Sequence, residues 1–193
     1  MAYIGLRHIV AAQIKTETTG ALPTYDTGFL VGRGINADVS FDRADVTLEA
    51  DDTTVESDNS IVGGSVTLGV DDLNDAARVG LLGDVKMGDN DEEYDEIGKA
   101  SPYVGVAYVR QRVYNGKTTY RAMFIPKAQF GHTDENAQTK GRQTQFQTPT
   151  ITGKVMGVTL EDGEVHYRRR SKFFDKAEDA IAWANQKVNF AKA

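Results

Sequence analysis

The glycine-containing segment GRGINA, residues 32 to 37, is the first part of the chain that could bind a cofactor. It satisfies a dinucleotide-binding glycine pattern if alanine is allowed at the last position. That chemistry needs a helix to begin at the glycines, because the free amides of its first turn hold the pyrophosphate. Here the apolar residues recur at every second position, which is the period of a strand. They are Ile35, Ala37, Val39 and Phe41. The sequence therefore predicts a glycine-rich turn and a strand, without a cofactor.

An acidic segment, DNDEEYDEIG at residues 89 to 98, offers the oxygen ligands that calcium prefers. Its alternating carboxylates are Asp89, Asp91, Glu93 and Asp95. An EF-hand loop needs glycine at its sixth position for a sharp turn, and Tyr94 stands there. We therefore expect a solvated acidic loop and no metal site.

Residue types that could act as nucleophiles, bases or soft metal ligands are few and scattered. The histidines His8, His132 and His166 are far apart, and none has a partner at metal-ligand spacing. The segment GGSVT around Ser65 lacks the second glycine of a G-x-S-x-G motif. There is no cysteine, which excludes disulfides, thiolate nucleophiles and sulfur-bound metals. The sequence thus predicts a protein that is not an enzyme, with no catalytic, cofactor-binding or metal-binding residues.

The one basic cluster is RRRSK, residues 168 to 172. Successive side chains of a strand point to opposite faces, so Arg168 and Arg170 are expected on one face and Arg169 on the other. A divided cluster makes a poor groove for phosphates. Charge pairing across a subunit boundary, with an acidic loop as the partner, is at least as well favoured as contact with nucleic acid.

Composition limits the class of protein further. The 193 residues suit a single domain. With 28 acidic and 22 basic side chains the net charge is -6, which disfavours nonspecific binding to nucleic acid and to anionic membranes. The segment MAYIGLRHIVAAQIK is interrupted by Arg7, His8 and Gln13, unlike a secretory signal, and no apolar run approaches the roughly 18 residues of a membrane span. We expect a soluble protein made in a cytoplasm.

Alternation of apolar and polar residues predicts strands over most of the first two thirds of the chain. In GLRHIVAAQIK one strand face is predicted to carry Leu6, His8, Val10, Ala12 and Ile14. DVTLEADDTTVES is predicted to turn near Asp51 and Asp52, and SVTLGV to form a further strand.

Two hairpins are predicted from their turn residues. Asn115 and Gly116 supply the positive φ angles of a type I′ turn, and Pro126 is expected to end the pairing of this hairpin. Asp162 and Gly163 close the second hairpin.

Helical spacing occurs twice. DDLNDAARVGLLG predicts a helix capped by Asp71 or Asp72 and ended by Gly83. A C-terminal helix is predicted over about 175–190, with a capping box of Asp175 and Glu178. Its apolar stripe is Ala177, Ala180, Ile181, Ala184 and Val188. The predicted fold is mainly β, a β-sandwich or barrel with one flanking helix and this C-terminal helix, in a single domain over 1–193.

Several of these segments together resemble the major tail proteins, or tail tube proteins, of long-tailed bacteriophages with non-contractile tails. They are GLRHIVAAQI, VTLEADDTTVESD followed by GGSVTLGVDDLNDAARVGLLG, the hairpin PYVGVAYVRQRVYNGKTTYRAMFIPKAQF, and KGRQTQFQTPTITGKV. Their order carries the resemblance, which covers roughly residues 1 to 160 and says least about the final helix.

The resemblance implies a tail-tube fold, six copies of which form a ring. The rings stack into the tube through which duplex DNA leaves the virion, without specific binding. A long loop between early strands contacts the neighbouring ring in such proteins, and by position it is residues 41–60 here. Its charged residues are Arg43, Asp45, Glu49, Asp51, Asp52, Glu56 and Asp58.

The resemblance also implies partners and a location. The partners are other copies of the chain and the tape-measure, tail-terminator and distal tail proteins. The location is the virion tail, assembled in the cytoplasm of the host bacterium, with no membrane. Duplex DNA carries one negative charge per about 1.7 Å of axis, so a lumen lined with Lys and Arg would hold it fast, whereas an acidic chain suits a channel.

The stretch RQTQFQTPTITGKV, residues 142 to 155, alternates like a strand but has little to bury. A ring subunit can keep a strand edge for its neighbour, since backbone hydrogen bonds then supply the joint. We therefore expect a candidate inter-subunit strand at Gln145, Phe146, Gln147 and Thr148.

Two other functions stay open at this point. One is a tube subunit of a contractile or type VI secretion-like system, which shares the architecture. The other is a β-sandwich recognition module of a virion, which requires an aromatic platform, although the lone Trp183 lies in the helix pattern.

Overall fold

The computed structural model describes residues 2–87, 92–94, 99–132 and 148–191. The elements within these residues are, in chain order, β1 (Ala2–Thr16), β2 (Thr24–Tyr25), β3 (Phe29–Gly32), β4 (Gly34–Arg43), β5 (Val46–Ala50), β6 (Thr53–Asp58), β7 (Ile61–Val70), α1 (Asp75–Ala77) with a π-helical turn (Arg78–Leu82), β8 (Val85–Met87), β9 (Glu92–Tyr94), β10 (Tyr103–Tyr114), β11 (Lys117–Phe130), β12 (Thr150–Val155), β13 (Val158–Thr159), β14 (Val165–His166), β15 (Arg169–Phe174) and α2 (Ala177–Lys187).

One antiparallel sheet contains nine of these strands. Its order is β2-β1-β10-β11-β12-β7-β4, with β3 also paired to β1 and β15 also paired to β11. Within the described residues the other strands form three separate pairs: β5 with β6, β8 with β9, and β13 with β14. The prediction of a mainly β fold with a C-terminal helix is confirmed.

The longest hairpin, β10 with β11, is closed by Asn115 and Gly116 as predicted, with φ angles of 50° and 73°. Because the turn has two residues, Tyr114 lies opposite Lys117, and the pairing continues from there along both strands, with Arg110 opposite Arg121. The second predicted hairpin is also present as β13 and β14, with Gly163 at a φ of 76°.

The prediction that Pro126 ends the hairpin is wrong, because β11 continues to Phe130. The register shifts between Val104 and Val106, whose partners are Ala128 and Ile125. Pro126 therefore lies in a β-bulge, where the ladder does not need its missing N–H group.

A second bulge overturns the predicted face of β1. The register with β10 shifts between Arg7 and Val10, and His8 has a φ of 56°, in the left-handed region. The extra residue changes which side chains share a face. Leu6 thus packs on the same apolar cluster as Ile9 and Ala11, while Val10 and Ala12 belong to the cluster on the opposite face.

Both faces of the central strands are buried, each by its own apolar cluster. The first cluster contains, among others, Val66, Leu68, Val106, Tyr108, Ile125, Phe130, Ile151 and Val155. The second cluster lies under α2 and contains Val10, Ala12, Ala107, Val109, Ala122, Phe124, Ala180, Ala184 and Val188. Alternate residues of β10 and β11 therefore face different clusters, which is why these strands are apolar on both sides.

The first helical segment begins later than predicted. Its N-cap is Asn74, whose side-chain oxygen accepts a hydrogen bond of 2.9 Å from the Ala77 amide. Neither predicted residue, Asp71 or Asp72, is the N-cap. The Asp71 carboxylate instead accepts a 2.8 Å hydrogen bond from the Arg33 amide. Gly83, at a φ of 85°, ends the segment as predicted.

The C-terminal helix is present, but its predicted capping box is wrong. Lys176 is the N-cap residue, and no side chain caps the first turn. The Asp175 carboxylate instead lies 2.8 Å from the Lys117 ammonium group. The predicted apolar stripe is confirmed, since Ala180 and Ala184 are fully buried against the sheet of the same chain.

Tyr25 ties β2 to the bulge of β11. Its hydroxyl donates a 2.7 Å hydrogen bond to the Pro126 carbonyl, and its ring lies edge-on to Phe124 at 5.9 Å. The absence of a side chain at Gly105 makes room for this ring, because a Cβ there would overlap it. Burial raises the pKa of Tyr25.

Substituting Tyr25→Phe should lower the free energy of unfolding by about 0.5–1.5 kcal/mol near neutral pH, because the Pro126 carbonyl loses its donor. The folded state keeps Tyr25 protonated above the ordinary tyrosine pKa of about 10, so its contribution is complete below that pH and is lost as the pH rises further. Urea unfolding from about pH 8 to about pH 11 should therefore show a shallower alkaline loss in the variant. Tyr114→Phe at an exposed site is the control; equal slopes for Tyr25→Phe and wild type would contradict this reading.

Candidate assembly surfaces

The segment predicted as a contact loop is a two-stranded hairpin that stands clear of the sheet. Every residue from Asp45 to Val62 is exposed. At its base the Ala44 amide donates a 2.8 Å hydrogen bond to the Ser60 carbonyl. At its tip Asp51 and Asp52 have φ angles of 51° and 60°, as a type I′ turn requires. We call residues 45–60 the acidic hairpin.

One face of the acidic hairpin combines apolar and acidic side chains. Val46 lies opposite Asp58 and Leu48 lies opposite Glu56. The two apolar side chains are 64% and 58% exposed. An isolated hairpin of two strands is marginal in water, and exposed apolar residues in a contiguous patch mark interaction surfaces. The hairpin therefore has the properties of a segment that is stabilised by a partner.

The predicted contact residues are distributed along the whole length of this projection, and all are exposed. Arg43 ends β4 opposite Ile61, and Glu49 lies opposite Thr54 beside a bulge in β6. Asp45 precedes β5, Asp51 and Asp52 form the tip, and Glu56 and Asp58 lie on β6.

The candidate inter-subunit strand is only partly described. Gln145, Phe146 and Gln147 lie outside the described residues, and Thr148 is exposed and precedes β12. Strand β12 pairs with β7 over Thr150–Val155 and with β11 over Gly153–Val155, so Gly153 lies opposite both Phe130 and Val66.

The described end of this stretch also has an apolar face, contrary to the expectation that it has little to bury. Ile151 and Val155 are 1% exposed and belong to the first cluster. Along Gly153–Val155 both edges of β12 are already paired within the subunit.

The predicted division of the basic cluster is observed on β15. Arg170 lies opposite Met123, which faces the first cluster, and Arg169 lies opposite Phe124, which faces the second. Arg168 precedes the strand, and its guanidinium lies over the Phe41 ring at 4.9 Å.

The fold adds three further arginines beside Arg168 and Arg170. Arg110 and Arg121 are direct cross-strand partners in β10 and β11, and Arg112 follows two residues after Arg110 on the same face. Partial burial lowers the pKa of Arg168, and the nearby charges of Arg170, Arg110 and Arg121 lower it further. We call these five residues the arginine face.

Aromatic rings lie between the guanidinium groups of the arginine face. Arg110 lies over the Tyr3 ring at 3.9 Å, and the Phe173 ring contacts both Arg112 at 4.0 Å and Arg121 at 4.8 Å. Such contacts hold the guanidinium groups in place without neutralising their charge.

The arginine face was not predicted from the sequence, although one of its contacts could have been. The two-residue turn at Asn115 and Gly116 determines that Arg110 lies opposite Arg121. Arg168 and Arg170 come close to Arg110 and Arg121 only because β15 pairs with β11, and the sequence contains no local signal for that pairing.

The other residues considered for chemistry are held in separate structural contacts. His8 Nε2 lies 2.6 Å from Asn185 Oδ1, while His132 and His166 each pair with an aspartate at 2.9 Å. Among the described residues, no group of three or more His, Cys, Asp or Glu could hold a metal ion. The acidic segment 89–98 is described only at Glu92–Tyr94, as strand β9. The GRGINA segment forms strand, as predicted, since Gly32 ends β3 and Gly34 begins β4.

No helix within the described ranges is long and apolar enough to cross a membrane. In comparisons with known proteins, no family model matches this chain and no curated protein matches it.

Proposed function

We propose that this protein is a structural subunit that assembles with copies of itself into stacked rings, as the tail tube of a long-tailed bacteriophage. The observation that carries the proposal is the acidic hairpin, which projects fully exposed from a well-packed sheet. A chain that keeps Val46 and Leu48 exposed on a strand pair gains stability when a neighbour covers them. Its place between early strands is the place at which tail tube proteins carry the loop that contacts the next ring.

The rest of the proposed assembly follows the resemblance in sequence. Six copies form each ring, and duplex DNA passes through the lumen of the stacked rings into the host. The net charge of -6 supports a conduit that does not retain DNA, because a chain without excess positive charge offers the phosphates no net attraction. Tape-measure, tail-terminator and distal tail proteins are the further partners expected in the virion.

Purified protein should form rings and tubes of constant diameter in negative-stain electron microscopy as its concentration is raised. Sedimentation of the same samples should show a monomer that gives way to large assemblies, because each added ring contacts the tube through many copies of one interface. A protein that stays strictly monomeric at high concentration would refute the proposal. A discrete dimer without larger species would favour a binding module.

A further inference from the structure

We propose that the arginine face is the docking surface for the acidic hairpin of a second copy of this chain. This inference rests on the proposed self-assembly and names the two surfaces that meet.

Most of the positive charge of the arginine face has no anionic partner among the described residues. Arg110, Arg121, Arg168 and Arg170 form no ion pair with any residue that the structure describes. Arg110 and Arg121 are opposed directly across two strands, and like charges in that position are destabilising. Both side chains are half-buried, so water screens their repulsion less than it would on an open surface. An anionic partner would relieve this cost.

The arginine face also presents apolar surface to a partner. Tyr3, Tyr114 and Phe173 are 38%, 47% and 37% exposed, and they border the guanidinium groups. The surface therefore fits a ligand that carries both carboxylates and aliphatic groups. Bidentate pairing with a planar guanidinium group is a strong, charge-assisted contact for a carboxylate.

The acidic hairpin has the complementary composition. Residues 45–60 contain six carboxylates and no lysine or arginine, a charge equal to that of the whole chain. Glu56 and Asp58 share a face with Leu48 and Val46, so carboxylates and aliphatic groups alternate across it. The excess negative charge of the chain and the four arginines that lack an ion pair among the described residues thus lie on two separate surfaces. Duplex DNA is a less favourable occupant, because the net charge of the rest of the protein adds no attraction for it.

The contact is between subunits rather than within one. In the single subunit every residue of the hairpin is exposed, although the hairpin begins only a few residues after Phe41, which contacts Arg168. At about 3.3 Å per residue the tip at Asp51 lies up to about 25 Å from the end of β4 at Arg43. A hairpin on one copy and a receiving surface on the next make a heterologous interface, and such an interface extends a stack when its rotation does not close a ring.

A charge exchange tests the pairing. The variant Arg110→Glu with Arg170→Glu and the variant Glu56→Lys with Asp58→Lys should each raise the concentration needed for assembly by roughly tenfold or more, since several ion pairs become repulsive at every contact. The protein with all four substitutions should assemble within roughly threefold of wild type, because the pairs are restored with opposite sign. An equimolar mixture of the two defective variants should also assemble. Sedimentation and electron microscopy measure all three.

Controls use charges near to but not on the two surfaces. Lys172→Glu changes a residue of β15 whose ammonium group lies over Phe174, and Glu161→Lys with Glu164→Lys changes an exposed turn; neither should affect assembly. Circular dichroism and urea unfolding of each variant confirm its fold, and Arg110→Gln with Arg170→Gln replaces the glutamate variant if that one is unfolded.

The outcomes separate this inference from the proposed function. If wild type assembles but the arginine variant assembles equally well, or if the four-fold exchange does not restore assembly, the pairing is wrong while the tube stands. If wild type forms no tubes, the proposed function fails, and association of the two oppositely charged variants in ultracentrifugation still decides whether the surfaces pair. Preferential binding of a short DNA duplex to wild type over Arg110→Gln with Arg170→Gln would overturn the inference in favour of phosphate.

Discussion

Replacing the acidic hairpin by a two-residue turn should give a folded monomer that no longer assembles. The Ala44 amide and the Ser60 carbonyl already form a closing hydrogen bond, so Asn-Gly in place of residues 45–59 can join them by a tight turn. All of the removed residues are exposed. The free energy of unfolding should therefore change by less than about 1 kcal/mol, since the fold loses no buried contact and the chain has a shorter loop to close.

The effect on assembly should be large, because in the proposed tube every contact between rings would lose the hairpin that projects into it. We expect the concentration needed for tubes to rise by roughly a hundredfold or more, which corresponds to about 2.7 kcal/mol for each contact. Sedimentation equilibrium and electron microscopy measure the concentration at which tubes form. The matched control exchanges Thr47 and Ser57 (Thr47→Ser with Ser57→Thr), which lie opposite each other on the other face of the hairpin; it keeps every carboxylate and should preserve assembly. Tubes of normal length from the hairpin-less chain would rule out a stacking role.

Truncating Phe124 to alanine should cause the largest loss of stability. Phe124 is fully buried in the second cluster, where it helps to hold α2 on the sheet through Ala180 and Ala184, and its ring meets Tyr25 edge-on. Phe→Ala at such sites costs about 3–5 kcal/mol, from lost burial and from the cavity left behind. Because a domain of this size is typically stable by about 5–15 kcal/mol, the variant should approach the limit of folding.

Urea unfolding measures this loss, and amide exchange of residues in α2 should accelerate by a larger factor than exchange in β7, which packs on the other cluster. Phe124→Leu is the milder variant and should lose less than half as much. Phe173→Ala serves as the control, since that ring is 37% exposed. If Phe124→Ala and Phe173→Ala lowered the free energy of unfolding equally, the cluster under α2 would not be what stabilises the helix on the sheet.

Local signals predicted the elements of this fold well. The Asn115–Gly116 pair encodes its own turn and register, and the small-residue stripe of α2 encodes a face that must lie close to a sheet. The predicted helix caps were wrong, because each of these polar side chains could bind more than one partner. Asp71 and Asp175 are suitable caps in sequence, but the Arg33 amide and the Lys117 ammonium group bind their carboxylates instead.

The bulges and one of the two candidate assembly surfaces were not predicted from the sequence. The left-handed conformation of His8 was not predictable from its residue type. It accompanies the bulge between β1 and β10, and the side chains after the bulge therefore point to the opposite face from the one that the alternation predicts. The acidic hairpin was predictable because it is contiguous. The arginine face was not, because Arg110, Arg121 and Arg170 come from three strands that tertiary pairing brings together.

The way in which the acidic hairpin is rooted has a mechanical consequence. Its two strands continue directly into β4 and β7, and β7 is in turn bonded to β12 over Thr150–Val155. A pull along the hairpin therefore loads the β7–β12 ladder in shear, in which its hydrogen bonds resist together rather than one after another. In the proposed tube, bending or stretching is therefore expected to separate the copies at their contacts first, while each subunit keeps its fold and can dock again.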